Sequence, residues 1–144
     1  MTDHQDMTAA ADRILDQARV FAVVGASPSP WRPSHGVMRT LLDHGYEVIP
    51  IRPGVDEVLG LPAYPALASV PEDLEVDVVD VFRRSDRAGA HVDEAIERGV
   101  PAVWLQLGVI DHAAAQRARA AGLDVVMDRC PVIELGRRGG RARS

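Results

Sequence analysis

Short apolar segments alternate with amphipathic ones along most of this 144-residue chain. Five of the apolar segments are rich in β-branched residues, which is typical of strands buried on both faces of a sheet. These predicted strands span residues 21–25, 46–51, 76–82, 101–106 and 123–127. The alternation contains no internal repeat, so the pattern favours one α/β domain rather than an array of repeated units.

The segments between the predicted strands carry start and stop signals of helices. We expect Ser34, Ser85 and Asp111 to cap three helices, because their short side chains can accept hydrogen bonds from first-turn amides. Glycines at the other ends supply the left-handed residue that commonly terminates a helix. These glycines are Gly45, Gly99 and Gly122. A leading helix over residues 8–18 and a short closing helix over residues 130–135 complete the pattern.

Strands that alternate with helices predict right-handed crossovers and a doubly wound, Rossmann-like fold. We expect a mostly parallel five-stranded sheet with helices on both faces, formed as a single domain by residues 1–135. The basic, glycine-rich segment 136–144 is expected to be a disordered, solvated tail. Residues 52–75 contain four prolines and are predicted to be a loop with one helical turn near residues 65–68.

Composition narrows the class of protein. The chain is 47% hydrophobic and 26% charged, which indicates a soluble globular domain, and no apolar run approaches the length of a membrane span. A net charge of −5 disfavours a nucleic-acid binder. One cysteine and an N-terminus without a signal-peptide pattern favour a cytoplasmic location. All 16 basic residues are arginines, so an anion site must use guanidinium and backbone N–H groups.

In a doubly wound fold, ligands bind beyond the carboxyl ends of the strands. The first strand ends at Gly25 as in a dinucleotide fingerprint, but Ser27 and Pro30 occupy the positions of the second and third glycines. Arg32 lies directly before a helix, where first-turn amides and the helix dipole favour an anion. Ser27 and Ser34 can both donate to a phosphate. We therefore predict a phosphate site without the close glycine approach to a pyrophosphate.

The ends of the next two strands add candidate phosphate contacts. Arg52 follows the second strand, where an NAD-binding protein has an acid for the ribose hydroxyls. An arginine in place of the acid favours a ribose that carries a phosphate. NADP with its 2′-phosphate and coenzyme A (CoA) with its 3′-phosphate both meet this condition. Arg83 follows the third strand and is placed to meet a second phosphate.

Four residues of the later strands are also candidates. Gln106 and Gly108 leave the fourth strand, where a glutamine can read an amide or a base edge and a glycine admits close backbone approach. Cys130 follows the fifth strand, either as a thiol beside the ligand or as an inert, partly buried cysteine. Asp80 lies inside an apolar run, and we expect its carboxylate to brace loop serines or an arginine. The sequence contains no metal-ligand spacing, catalytic triad or paired-carboxylate motif.

Together these segments resemble the stand-alone bacterial CoA-binding domain family, which is similar to the N-terminal CoA-binding domain of the succinyl-CoA synthetase alpha subunit. The resemblance covers residues 10–135. The motifs that carry it are Val24-Gly25-Ala26-Ser27, Arg32-Pro33-Ser34, Gly36-Val37, Pro50-Ile51-Arg52-Pro53, Leu59-Gly60, Tyr64, Asp80-Val81-Phe82-Arg83, Trp104-Leu105-Gln106-Leu107-Gly108, Asp128-Arg129-Cys130-Pro131 and Glu134. The resemblance implies a Rossmann-like sheet that binds CoA.

The resemblance also bears on the site and on activity. The residues assigned to the cofactor are Gly25, Ala26, Ser27, Arg32, Ser34, Arg52, Arg83, Gln106, Gly108 and Cys130. Many relatives carry asparagine at the position of Arg52. The synthetase alpha subunit has a second domain with a phosphorylated histidine and works with an ATP-grasp partner. This chain shows no counterpart of that domain, so the resemblance supports binding and not ligase activity.

The sequence therefore favours a protein that holds CoA or an acyl-CoA by its 3′-phospho-ADP end and performs no chemistry itself. It would act as a carrier, a sensor or a detached subunit, and either a homo-oligomer or a partner enzyme subunit stays open. No contact with nucleic acid or membrane is expected. The alternative is an NADP-binding oxidoreductase, which would reuse Arg52 but needs a proton donor and a substrate domain. In a third hypothesis, Cys130 forms a mixed disulfide with the CoA thiol.

Overall fold

The structure is a computed structural model that describes residues 3–141 of the chain, with side chains described from residue 6 onward. The helices are α1 (Asp3–Gln17), α2 (Pro33–Asp43), α3 (Ser85–Arg98), α4 (His112–Ala120) and α5 (Pro131–Arg137). The strands are β1 (Val20–Val24), β2 (Glu47–Ile51), β3 (Glu57–Val58), β4 (Leu61–Pro62), β5 (Val78–Val81), β6 (Ala102–Leu105) and β7 (Asp124–Val126). A 3₁₀ turn at Leu67–Ser69 precedes β5.

Five strands form the main sheet in the order β2-β1-β5-β6-β7, and every neighbouring pair is parallel. The chain moves outward from β1 to β2 and then crosses to β5 on the other side of β1. The switch in strand order therefore lies between β1 and β5, where doubly wound folds open a crevice at the carboxyl ends of the strands. This arrangement confirms the doubly wound parallel sheet predicted from the sequence.

Helices cover both faces of the sheet, as expected. On one face, α3 and α4 pack through small residues such as Ala88 and Ala114, both fully buried. On the other face, α1, α2 and α5 contribute Leu15, Met38 and Leu135 to a second cluster of buried side chains. All side chains of the three central strands β1, β5 and β6 are buried, which explains why these strands read as continuous apolar runs.

Two of the three predicted helix caps are wrong. Arg32 and Arg84 occupy the cap positions of α2 and α3, and neither side chain caps its helix. Ser34 instead accepts a hydrogen bond from the Ser27 amide at 3.1 Å, and Ser85 accepts one from the Ile110 amide at 2.9 Å. Both serines therefore tie neighbouring loops together. Asp111 caps α4 as predicted, because its carboxylate accepts a hydrogen bond from the Ala114 amide at 2.9 Å.

The link between β2 and β5 contains a small hairpin that the sequence did not predict. β3 and β4 pair antiparallel across a two-residue turn in which Leu59 and Gly60 both have positive φ, 54° and 75°. Such turns favour glycine or asparagine, so a leucine in the first position hides the signal. The Tyr64 amide then donates a hydrogen bond to the Pro50 carbonyl, and the Tyr64 carbonyl accepts one from the Arg52 amide. These two bonds fix the end of β2. The helical turn at Leu67–Ser69 lies slightly later than expected.

The beginning of the segment expected to be a free tail contacts α1. α5 continues through Arg137, and the side chain of Arg138 is only 5% exposed. The Arg138 guanidinium forms ion pairs with Asp12, at 3.0 Å, and with Asp16. These contacts attach the beginning of the expected tail to α1, and residues 142–144 lie outside the described part of the chain. No helix between residues 3 and 141 is both long enough and apolar enough to cross a membrane.

Candidate functional site

A cavity of about 520 Å³ opens at the carboxyl ends of β1, β2 and β5, beside the switch in strand order. The residues that line it are Gly25, Ser27, Arg32, Pro33, Ser34, Arg52, Pro53, Phe82 and Arg83. Six of the ten residues assigned to the cofactor from the sequence therefore line one cavity. Its volume falls in the range of cavities that bind small molecules and cofactors.

Gly25 forms the floor where three strands end. Its amide donates to the Ile51 carbonyl at 2.9 Å, while the Phe82 amide donates to the Val24 carbonyl at 2.8 Å. Gly25 has a φ of 87°, and a Cβ at this position would lie 2.4 Å from the Phe82 carbonyl oxygen. Only glycine fits this turn, because a side chain would separate the ends of β1 and β5.

The loop from Ser27 to Ser34 is held by hydrogen bonds to its own serines. The Ser27 amide donates to the Ser34 Oγ and the Ser29 amide donates to the Ser27 Oγ, each at 3.1 Å. The Arg32 amide donates to the Ser29 carbonyl, also at 3.1 Å. Ser27 and Ser34 are 4% and 3% exposed, so both mainly shape the loop. The loop leads into the N-terminus of α2, with Pro33 as the first helical residue.

Three arginines give the cavity its charge. Arg32 comes from the loop before α2, Arg52 from the end of β2 and Arg83 from the loop after β5. Within the described part of the chain, none of these guanidinium groups forms an ion pair or donates a hydrogen bond, whereas Arg84 is paired with Asp86 at 3.2 Å. Among the residues that the structure describes, no acid lines the cavity. Three cations without a counter-charge favour a ligand with several negative charges.

The other assigned residues lie outside the cavity lining. Ala26 is fully buried among the apolar side chains beneath α1 and α2, so its methyl group contacts the core. Gly108 has a φ of 84°, and its amide donates to an Asp128 carboxylate oxygen at 2.7 Å. Cys130 is half-buried directly before α5. Gly108, Gln106 and Cys130 belong to the loops after β6 and β7, at the same edge of the sheet.

The side chain of Gln106 carries a buried hydrogen-bond acceptor that a ligand can satisfy. Its side chain is 8% exposed, and its Oε1 has no hydrogen-bond partner among the residues described. A buried acceptor without a partner is unfavourable by about 1–3 kcal/mol unless water or a ligand satisfies it. Because Gln106 stands at the carboxyl end of β6, a ligand that extends from the cavity along this edge can supply that donor.

Asp80 does not have the role expected from the sequence. It lies in β5 between Val23 of β1 and Trp104 of β6, on the face covered by α1, α2 and α5. Neither carboxylate oxygen has a hydrogen-bond partner in the described chain, so it braces no serine and no arginine there. Complete burial raises the pKa of the Asp80 carboxyl well above its ordinary value, because desolvation disfavours the charged form.

Three residues of the cavity wall lie in the segments singled out from the sequence but were not assigned to the cofactor. Pro33, Pro53 and Phe82 line the cavity beside the arginines that were predicted. Each lies directly next to Arg32, Arg52 or Arg83 in the sequence, and the two prolines restrict the backbone around those arginines. Among residues 3–141, no group of three histidine, cysteine, aspartate or glutamate side chains is arranged to hold a metal ion.

Comparison with known proteins places these features in a family. The family described as CoA binding domain matches residues 19–136. The uncharacterized protein YneT of Bacillus subtilis (strain 168) is 39% identical over 117 residues, which cover 81% of this chain and 85% of YneT. Acetate--CoA ligase (ADP-forming) I of Archaeoglobus fulgidus is 32% identical over 63 residues, or 44% of this chain, but the match spans only 9% of that ligase.

Solved structures agree with the sequence matches. A hypothetical protein from Pyrococcus horikoshii OT3 superposes with a TM-score of 0.84 at 37% identity, covering 90% of each chain. The dinucleotide forming Acetyl-coenzyme A synthetase 1 of Ca. Korarchaeum cryptofilum gives a TM-score of 0.67 at 28% identity, over 81% of this chain and 27% of the synthetase. The fold, the sequence motifs and these matches agree, and the chain belongs to the CoA-binding domain family.

Proposed function

We propose that this chain binds CoA or an acyl-CoA, with the 3′-phospho-ADP half in the cavity at the ends of β1, β2 and β5. One observation carries the proposal: Arg32, Arg52 and Arg83 line one cavity and none is paired within the described chain. The 3′-phospho-ADP half of CoA carries three phosphate groups. Charge-assisted hydrogen bonds to phosphate are roughly twice as strong as neutral ones, so this match favours that ligand.

The topology suggests which arginine meets which phosphate. In doubly wound folds the ribose lies near the end of the second strand, so Arg52 is assigned to the 3′-phosphate. The diphosphate lies at the N-terminus of the first crossover helix, here α2, where Arg32 adds its charge to the helix dipole. Arg83 faces the same cavity from the loop after β5 and is assigned to the diphosphate from the opposite side.

The other half of CoA is assigned to the loops after β6 and β7. The pantetheine arm carries two amide N–H groups, and the buried Oε1 of Gln106 lacks a donor in the described chain. An amide from the arm would satisfy that oxygen. Gly108, which has no side chain, allows the arm to approach the backbone there.

The lining of the cavity supports binding rather than chemistry. Its ionisable side chains are all arginines, which do not exchange protons at physiological pH and cannot serve as a general acid or base. We therefore assign to this chain the role of a carrier, a sensor or a subunit that presents CoA to another protein.

Titration calorimetry with four ligands tests the proposal. We expect CoA to bind more tightly than dephospho-CoA, NADP and NAD. A charge-assisted contact contributes about 1.5–3 kcal/mol, so loss of the 3′-phosphate should weaken binding roughly tenfold or more. Tight binding of NADP without a response to CoA would instead favour an NADP-binding oxidoreductase that uses Arg52 for the 2′-phosphate. Absence of CoA binding would end the proposal.

Neighbouring arginines offer a matched pair of variants. Arg83 lines the cavity, whereas Arg84 is paired with Asp86 and does not. Arg83→Ala should weaken CoA binding roughly tenfold or more, and Arg84→Ala should change it little, although both remove one positive charge from the same segment. Equal effects of the two variants would mean that only the general charge of the region matters.

The mixed-disulfide hypothesis for Cys130 has its own test. Attack of the Cys130 thiolate on CoA disulfide would form the protein–CoA disulfide and release one CoA thiol. Mass spectrometry after incubation with CoA disulfide should then show an adduct on Cys130 that dithiothreitol removes. An unmodified Cys130 would leave the cysteine as a packing residue.

A further inference from the structure

Trp31 is an unusually exposed side chain of the loop between β1 and α2, the loop that also carries Arg32. It is 82% exposed, more than any other large hydrophobic residue between residues 6 and 141. The second tryptophan, Trp104, is fully buried and donates its indole N–H to the Arg129 carbonyl at 2.9 Å. A large aromatic side chain in water forgoes the free energy of burial, so exposure of this degree points to a surface that a ligand or partner covers.

The backbone presents Trp31 on a stiff turn. The Arg32 amide donates to the Ser29 carbonyl at 3.1 Å, which closes a four-residue turn with Pro30 and Trp31 at its centre. Proline fixes the backbone at the second position of such a turn. The Ser29 amide is further bonded to the Ser27 Oγ at 3.1 Å. These two hydrogen bonds hold the turn in one backbone conformation, which limits the conformational entropy that binding would cost.

The neighbours of Trp31 indicate what would cover it. Arg32 follows directly and lines the three-arginine cavity, so the exposed indole belongs to the same loop as a residue of the candidate phosphate site. A nucleotide joins a flat aromatic base to phosphate groups in one molecule. Bases stack on aromatic side chains, whereas the phosphates require cations. This chain places both kinds of partner in consecutive residues.

We propose that Trp31 is the stacking platform for the adenine of the bound nucleotide. The inference rests on the proposed function, since it assumes that 3′-phospho-ADP occupies the cavity, and it adds a residue that binds the base. Stacking is tolerant of base identity, so Trp31 contributes affinity for the nucleotide half and little discrimination between bases. The pantetheine arm does not require Trp31.

Tryptophan fluorescence reports directly on this contact. Adenosine 3′,5′-bisphosphate should quench the red-shifted emission of the exposed Trp31 and leave the emission of buried Trp104 unchanged. Trp31→Phe should abolish the quenching. Binding by calorimetry without any quenching in the wild-type protein would overturn the inference, as would quenching that persists in Trp31→Phe.

Affinity measurements separate this inference from the proposed function. Trp31→Ala should lower the affinity for adenosine 3′,5′-bisphosphate and for CoA on the order of tenfold, and Trp31→Phe should lower both affinities less. The affinity for pantetheine should stay the same in both variants. Leu74→Ala, which removes a 40%-exposed side chain before β5, is the matched control and should change nothing. If the wild-type protein binds neither nucleotide, the proposed function fails and this inference fails with it.

Two other results would overturn the role of Trp31 alone. In the first, Trp31→Ala binds both nucleotides as the wild-type protein does. In the second, Trp31→Ala leaves nucleotide binding intact but dissociates an oligomer in sedimentation velocity, which would assign the exposed indole to a protein contact.

Discussion

The cavity at the carboxyl ends of β1, β2 and β5 and the groove at the amino ends of β5 and β6 use arginine in opposite ways. The groove is the larger, about 670 Å³ against about 520 Å³. Of the described residues that line it, Arg98 is the single arginine, and its guanidinium group donates four hydrogen bonds at 2.9–3.3 Å. The acceptors are the backbone carbonyls of Leu67, Val70, Pro71 and Leu74. The guanidinium groups of Arg32, Arg52 and Arg83, in contrast, donate to no backbone carbonyl in the described chain.

The two sites also differ in the sign of the charged residues that line them. Four glutamates line the groove, namely Glu72, Glu75, Glu94 and Glu97. A hydrogen bond with Asp77, together with repulsion between the two acids, raises the pKa of the Glu75 carboxyl. An anion that entered would meet this acidic wall, with Arg98 already bonded. The comparison supports our choice of the smaller site for the proposed CoA binding, because it offers positive charge and unsatisfied donors.

The largest effect is expected from a substitution of Gly25, because this residue lines the cavity and does not line the groove. In Gly25→Ala, the positive φ and the 2.4 Å approach of the new Cβ to the Phe82 carbonyl should separate β1 from β5. We expect a loss of about 3 kcal/mol in the free energy of unfolding and no measurable CoA binding. Denaturant unfolding and calorimetry provide the two measurements.

Gly54→Ala is the matched control for Gly25→Ala. Gly54 also has a positive φ, 81°, but a Cβ there would meet nothing within 4 Å. Strain alone should lower stability by about 1–2 kcal/mol and leave CoA binding in place. If the two variants behaved alike, the contact with Phe82 would have no special role in the site.

Arg98→Ala should separate a structural arginine from the ligand-binding ones. Removal of four hydrogen bonds should lower the free energy of unfolding by about 2–3 kcal/mol, because each contributes modestly and the site is partly exposed. CoA affinity should not change. Arg87→Ala, at an exposed position of the same helix, controls for the loss of charge. A large fall in CoA affinity in Arg98→Ala would contradict the distinction between the two sites.

Asp80 should make stability depend on pH in a definite direction. Burial raises its pKa, so the folded protein retains a proton that the unfolded chain releases above about pH 3.9. Stability should therefore fall as pH rises from that value towards the folded pKa, by up to about 1.4 kcal/mol per pH unit from this group. The test is urea unfolding across pH 4–8, in which Asp80→Asn should lack this component of the slope. Parallel pH profiles of the two proteins would contradict the account.

The smallest effect is expected in the acidic groove. Glu97 is exposed and forms no ion pair within the described chain, so Glu97→Gln should change the free energy of unfolding by less than about 0.5 kcal/mol. CoA affinity should stay the same within experimental error. A marked change in CoA binding would show that the groove takes part in ligand recognition.

The parallel sheet could be predicted from the sequence because strands buried on both faces form continuous apolar runs. The three arginines could be predicted to share one site because the topology brings the carboxyl ends of the strands together. The errors arise where long-range contacts decide. Ser34 and Ser85 look like helix caps, yet each bonds to another loop. Leu59 in a left-handed turn obscures the β3–β4 hairpin. Arg138 is buried because acids of α1, far away in the sequence, pair with it.

The restriction of the charged cavity residues to arginine also limits how this site can be regulated. The chain contains no lysine, so acetylation, which neutralises lysine side chains, cannot reduce the charge around the ligand. Arginine keeps its proton throughout the pH range of living cells, so the cavity offers three positive charges under all those conditions. Any variation of affinity with acidity near neutrality would then follow the ionisation of the ligand's own terminal phosphate, whose second proton dissociates near pH 6.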